Sequence, residues 1–173
     1  MMKKNIAIVL MGVSGAGKST IGVRLAQQLG RAFLEGDAFH PPANVEKMRQ
    51  GIPLDDDDRL PWLTAIAAAI EAARREHRQV VVTCSALKRA YRTVLSAGHD
   101  DVAFVYLKGD KDLIGERLGV RAGHFMPPKL LDSQFATLEE PTSGEHSVTM
   151  PVDDTPDRIV SALGAMFASS ART

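Results

Sequence analysis

Apolar and polar residues fall in blocks along this chain, and the period changes from block to block. Residues 5–12 (NIAIVLMG) form an almost unbroken apolar run, with Ile6, Ile8, Val9 and Leu10 together, which predicts a strand buried on both faces. From Gly17 the period becomes helical, with Ile21, Leu25 and Leu29 four apart and Gly30 as a stop signal. Residues 31–37 (RAFLEGD) predict a second strand, and 42–51 a short helix that Gly51 ends. Residues 58–78 predict a long helix whose apolar stripe is Leu60, Leu63, Ile66, Ala67 and Ile70. Residues 79–87 (QVVVTCSAL) are β-branched and continuous, the mark of a strand in a covered parallel sheet. A helix over 88–98, a strand over 102–109 and helices over 110–123 and 128–141 follow. A last strand over 146–152 precedes a closing helix over 155–169, with Asp154 or Thr155 as its cap and Pro156 at its first position.

Strand and helix take turns throughout. The class is therefore α/β with a parallel sheet. Neither an internal repeat nor a linker-like stretch divides the chain, so residues 1–173 are expected to form one domain.

Composition narrows the function. Lysine plus arginine and aspartate plus glutamate both number 21, which leaves a formal net charge of zero. A broad basic face for nucleic acid is not expected, although a local anion site is compatible. Cys84 is the single cysteine, so the chain has no internal disulfide framework. No run approaches the roughly 20 apolar residues of a membrane span, and no leader pattern follows Lys3 and Lys4. A cytoplasmic protein with no membrane partner is the expectation. The His, Cys and carboxylate spacings do not suggest zinc.

The stretch Gly12, Val13, Ser14, Gly15, Ala16, Gly17, Lys18, Ser19, Thr20 decides the chemistry. It fits GxxxxGK followed by Ser or Thr, between a predicted strand and a predicted helix. A phosphate chain needs backbone N–H groups aimed at it from a tight loop, and side chains at Gly12, Gly15 and Gly17 would block that approach. The helix that follows presents its anion-attracting end. Lys18 reaches the β- and γ-phosphates, and Ser19 ligates magnesium. A dinucleotide loop would need Gly or Ala where Thr20 stands, and it would leave Lys18 unexplained.

The loop shows that a nucleoside triphosphate binds; other residues must name the acceptor. Asp37 ends the second predicted strand, on the ligand side of an open parallel sheet. It is a candidate base for an acceptor hydroxyl, or a magnesium partner at one remove; an ordinary Asx turn is the plainer alternative. Arg59 has the geometry to grip a carboxylate with two bonds. Cys84 and Ser85 end the third strand, followed by Lys88, Arg89 and Arg92, which solvent would also accommodate. Cys84 is either a reactive thiol or a buried strand-end residue. Arg117 and Arg121 lie four apart on one helical face, with Gly119, Gly123, Pro127 and Pro128 around them, a composition suited to a flap. The Asp55–Asp58 run reads as a helix-capping cluster, and Trp62 as core.

Four segments together resemble the gluconokinase family of small P-loop kinases: MGVSGAGKST, EGDAFHPPANVEKMRQGIPLDDDDRLPWL, CSALKRAYR and RLGVRAGHFMPPKLLDSQFATLEEP. The loop is shared by many families; HPPANVEKM, PLDDDDRLPWL, CSALK and GHFM are specific. The resemblance runs from about Ile6 to Val160. It implies a fold like that of shikimate and adenylate kinases: five parallel strands flanked by helices, with a lid at about residues 119–140. It implies transfer of the γ-phosphoryl of ATP to the 6-hydroxyl of D-gluconate, with Mg2+. Residues Gly12 to Thr20 would cradle the phosphates, with the metal at Ser19. Asp37 would face the acceptor hydroxyl. His40, Arg59, Ser85 and Lys88 would surround the sugar acid. Arg117 would lie near the adenine, Arg121 would bring charge to the moving phosphoryl, and His124 would sit in the lid. Such kinases often form homodimers. Two rivals remain at this level: a kinase for another small anionic acceptor such as shikimate, and a nucleotide-dependent switch.

Overall fold

The computed structural model describes residues 4–120 and 128–168. Five strands form one sheet: β1 (Ala7–Met11), β2 (Ala32–Glu35), β3 (Val80–Thr83), β4 (Val102–Lys108) and β5 (Ser147–Pro151), in the order β2-β3-β1-β4-β5. Every neighbouring pair is parallel. Seven helices are described: α1 (Lys18–Leu29), α2 (Pro42–Arg49), α3 (Asp56–Arg75), α4 (Arg89–Ser96), α5 (Lys111–Val120), α6 (Pro128–Thr137) and α7 (Pro156–Ala168). This is the α/β architecture that the alternating periods predict.

The central strands read as continuous apolar runs because helices cover both of their faces. Every residue of β1 and of β3 is buried. Helix α1 packs on β2 and β3 and beside α7, while α3 packs beside α4. No helix among the described residues is long and apolar enough to cross a membrane.

Local chemistry sets the helix ends. Gly30 takes a left-handed conformation (φ 65°) and closes α1 by donating to Gln27 O. At α3, the Asp55 side chain accepts from the Asp58 N–H at 2.8 Å, and the Asp58 side chain accepts from the Asp55 N–H at 3.0 Å. The aspartate run is therefore a reciprocal cap, placed where the helix dipole favours negative charge. Thr155 Oγ1 caps α7 by accepting from the Arg158 N–H at 3.3 Å.

One expectation for α3 is corrected. Leu60 is 53% exposed and lies outside the apolar stripe. Trp62, Leu63, Ile66, Ile70 and Ala73 carry the buried face instead. At about 100° per residue the buried face centres on Leu63, Ile66 and Ile70, and Leu60 lies beyond its edge while Trp62 falls within it.

Parallel strands leave all of their C-terminal ends on one edge. Register makes that edge level: Leu10 pairs with Thr83, and Thr83 pairs with Glu35. The loop after β1, the turn after β2 and the segment after β3 are thus brought side by side, where ligands bind in open parallel sheets.

Candidate active site

The loop after β1 has the conformation its glycines predict. Gly12, Gly15 and Gly17 all have positive φ, at 142°, 84° and 96°. A Cβ on Gly12 would lie 2.9 Å from Leu107 O. The loop is thus held against β4 and turns into α1, whose N-terminal end favours an anion. Lys18 folds back over it, donating to Gly12 O at 3.0 Å and Val13 O at 2.9 Å. Burial lowers the pKa of its ammonium; Asp37, Cys84 and Glu35 oppose that shift. A cation held at a loop of N–H donors is an anion site.

Two hollows flank the loop, and Gly15 and Gly17 line both. The first, about 480 Å³, is also lined by Ser14, Lys18, Ser19, Asp37, His40, Arg59 and Ser85. The second, about 490 Å³, is lined by Ala16, Thr20, Ile21, Arg117, Val152, Pro156 and Ile159. Glu116 and Asp154 also line it; a largely apolar hollow with a guanidinium suits a flat aromatic base. The guanidinium of Arg117 is anchored there by donating to Val152 O.

The short 3-10 turn Gly36–Phe39 carries Asp37 to the edge of the first hollow. Gly36 permits it: its N–H donates to Thr83 Oγ1 at 3.0 Å, and a Cβ there would lie 1.8 Å from Thr83 O. Trp62 donates from Nε1 to Gly36 O at 2.8 Å, and its ring stacks on His40 with centroids 4.1 Å apart. Trp62 is core, as the sequence suggests, and it also supports the turn.

Arg59 is 8% exposed and lines the same hollow. One of its nitrogens donates to Tyr91 Oη at 3.0 Å. Tyr91 in turn donates to Asp56, which also pairs with Lys88 at 3.0 Å. Arg59 itself has no ion pair with a described residue. A buried guanidinium without a carboxylate is costly, and a bound anion would satisfy it.

Most of the sequence-derived candidates therefore meet around the loop. Gly12 and Val13, at the start of the loop, are buried and line neither hollow; their carbonyls accept from Lys18. Lys88 does not line either hollow; Asp56 holds it, with the Tyr91 ring 5.7 Å from its ammonium. Of the neighbouring basic residues, Arg92 is 3% exposed and structural, donating to Glu145 and to Ala86 O. Arg121 and His124 lie outside the described residues, as does all of the expected lid between 121 and 127. Cys84 is buried, and burial pushes its thiol up to about 12, so the inert reading of this cysteine holds.

Sequence reasoning missed two residues here. Glu35 accepts from Ser19 Oγ at 2.7 Å and from Thr83 Oγ1 at 2.6 Å. Gln134 of α6 reaches the loop, accepting from the Ser14 N–H at 2.7 Å and donating to Ser14 Oγ at 3.1 Å. The signal for Glu35 was available: a carboxylate at a strand end, two positions before Asp37. Nothing local marks Gln134.

A family model described as an AAA domain matches residues 8–141. The thermoresistant gluconokinase of Escherichia coli is 49% identical over 148 residues, covering 86% of this chain and 85% of that protein. The chain belongs to the gluconokinase family. Solved structures agree. A gluconokinase from Sinorhizobium meliloti superposes with a TM-score of 0.87 at 45% identity, covering 96% of this chain and 94% of that one. A sugar kinase from Janibacter sp. gives 0.89 at 42% identity, covering 96% and 97%. The five-stranded parallel sheet and the glycine loop are thus those of a gluconokinase-family kinase.

Proposed function

We propose that this protein transfers the γ-phosphoryl group of ATP to the 6-hydroxyl of D-gluconate, giving 6-phospho-D-gluconate and ADP. The observation that carries the reading is Arg59: a mostly buried guanidinium, bonded to Tyr91 but with no ion-pair partner among the described residues, lining the hollow beside Lys18 and Asp37. Gluconate offers one carboxylate and a row of hydroxyls. Arg59 answers the carboxylate, and His40 and Ser85 answer the hydroxyls.

In this reading the base lies in the second hollow against Arg117, and the phosphates lie along the loop between the two hollows. Asp37 accepts the proton of the 6-hydroxyl as that oxygen forms its bond to the γ-phosphorus and the bond to the ADP oxygen breaks. Lys18 faces the charge of the moving phosphoryl, and Arg121, outside the described residues, is assigned to the same charge by its place in the motif. The oxygens of Ser19 and Glu35, 2.7 Å apart beside the loop, are a fitting donor set for Mg2+. When bound, the ion would neutralise phosphate charge. Residues 1–173 act as one domain, with the segment at about 119–140 as the lid; α6 within it touches Ser14 through Gln134.

The test is ADP release with Mg-ATP, with and without D-gluconate, beside a shikimate control. A gluconate-dependent rate whose product 6-phosphogluconate dehydrogenase oxidises supports acceptor and position together. A rate that rises with shikimate alone moves the chain to the rival acceptor class. Slow turnover indifferent to both returns the switch reading.

A further inference from the structure

Asn44 on α2 is 3% exposed, one of the few buried polar side chains among the described residues. Its Nδ2 donates to Asp58 O at 2.8 Å. A backbone carbonyl only accepts, so this bond fixes which end of the carboxamide is the –NH2. The same nitrogen lies 3.3 Å from His40 Nδ1. An –NH2 group has two hydrogens. One goes to Asp58 O, and the other is free to point at the imidazole. His40 Nδ1 must then be the lone-pair nitrogen, and the ring proton sits on Nε2.

The ring cannot escape this by turning over. Trp62 stacks on it at an interplanar angle of 15°, and Trp62 is itself tied to Gly36 O. A flip in that plane would set a ring C–H against the Asn44 N–H and leave a buried donor without an acceptor.

We propose that Asn44 is a positioning residue that locks His40 in its Nε2–H tautomer, so that His40 meets the acceptor substrate as a neutral hydrogen-bond donor. The role in acceptor choice rests on the first hollow being the acceptor site. The lock selects for an oxygen lone pair, from a hydroxyl or a carboxylate, at that point of the ligand. The charged groups facing the ring are Asp37, on its own turn, and Arg59, on α3. Protonation of Nδ1 would set two donors against each other, so the imidazolium form is incompatible with the lock.

Long-range 1H–15N spectra of the substrate-free protein at neutral pH read the tautomer directly, with the His40 signals assigned by their loss in His40→Gln. The expected result is a protonated Nε2 and a bare Nδ1. A protonated Nδ1, or a rapidly exchanging mixture, overturns the proposal. Asn44→Asp replaces the donor by an acceptor and should invert the tautomer, while Asn44→Ala should release it to a mixture. In whichever variant folds, the gluconate KM should rise about tenfold, with the ATP KM within about twofold of wild type. A folded variant with a changed tautomer and an unchanged gluconate KM overturns the selective role. The tautomer is read without substrate, so a failure of gluconate as acceptor leaves that arm standing and sinks the functional reading alone.

Discussion

Ser19 Oγ donates to Glu35 Oε2 at 2.7 Å, joining the first turn of α1 to the last residue of β2. Thr83 holds the other carboxylate oxygen at 2.6 Å. Glu35 is therefore fixed from two sides beside the phosphate loop. Glu35→Gln keeps the shape and removes the charge. We expect the magnesium needed for half-maximal rate to rise about ten- to a hundredfold, with thermal stability nearly unchanged. A magnesium titration at fixed ATP checks this, and an unchanged requirement would place the metal away from Glu35.

Arg59 is held by Tyr91 and faces the first hollow. Arg59→Lys keeps the charge but loses the planar fork. The gluconate KM should rise roughly ten- to a hundredfold, with a smaller change in kcat. Steady-state kinetics at saturating ATP measure both. An unaltered KM would mean that the carboxylate binds elsewhere.

Asp37 is the one carboxylate of the turn that lines the first hollow beyond Glu35. Asp37→Asn should lower kcat about a hundred- to ten-thousandfold with a modest shift in gluconate KM. If only KM moves, Asp37 binds substrate and does not accept its proton.

Gly36 lies where a Cβ would stand 1.8 Å from Thr83 O, a backbone atom that cannot swing aside. Gly36→Ala must push the turn off β3 and break the bond from its N–H to Thr83 Oγ1. The expected loss is about 2 kcal/mol or more, read by urea unfolding, together with lost activity because Glu35 and Asp37 flank the site. Wild-type stability would show that the turn has a second acceptable path.

His40 gives a pH dependence. Burial lowers its pKa below the ordinary 6.5, Asp37 opposes, and Arg59 adds to the lowering. The unfolded chain then binds the proton more readily than the folded one. Its contribution to stability is present in full above about pH 6.5 and is lost as pH falls from there through the folded-state pKa. The stability advantage of wild type over His40→Gln should shrink between about pH 8 and pH 5. A difference that stays constant across that range would show His40 to titrate as it does in the unfolded chain.

The order of strands and helices was legible because parallel strands covered on both faces must be continuously apolar, and surface helices must be striped. The stripe of α3 shows the limit. Spacing alone admitted Leu60, but the packed helix buries the face of Trp62, Leu63, Ile66 and Ile70, and Leu60 faces solvent. Lys88 shows another. A lysine at a helix start looks equally suited to substrate or solvent, and only the position of Asp56 across the fold decided that it is held by a carboxylate.

By itself the sequence determined the α/β class and the phosphate loop. Each depends on residues contiguous in the chain: a run of apolar residues, or glycines whose backbone must reach positive φ within one short turn. The tertiary structure alone decided which side chains meet. Glu35 joins Ser19 because β2 ends level with β3, Arg59 is left without a carboxylate because Asp56 turns to Tyr91 and Lys88, and Asn44 reaches His40 because Asp58 holds its other hydrogen. These are through-space contacts between separate elements. Their partners are set by strand register and helix packing, which no local pattern of residues encodes.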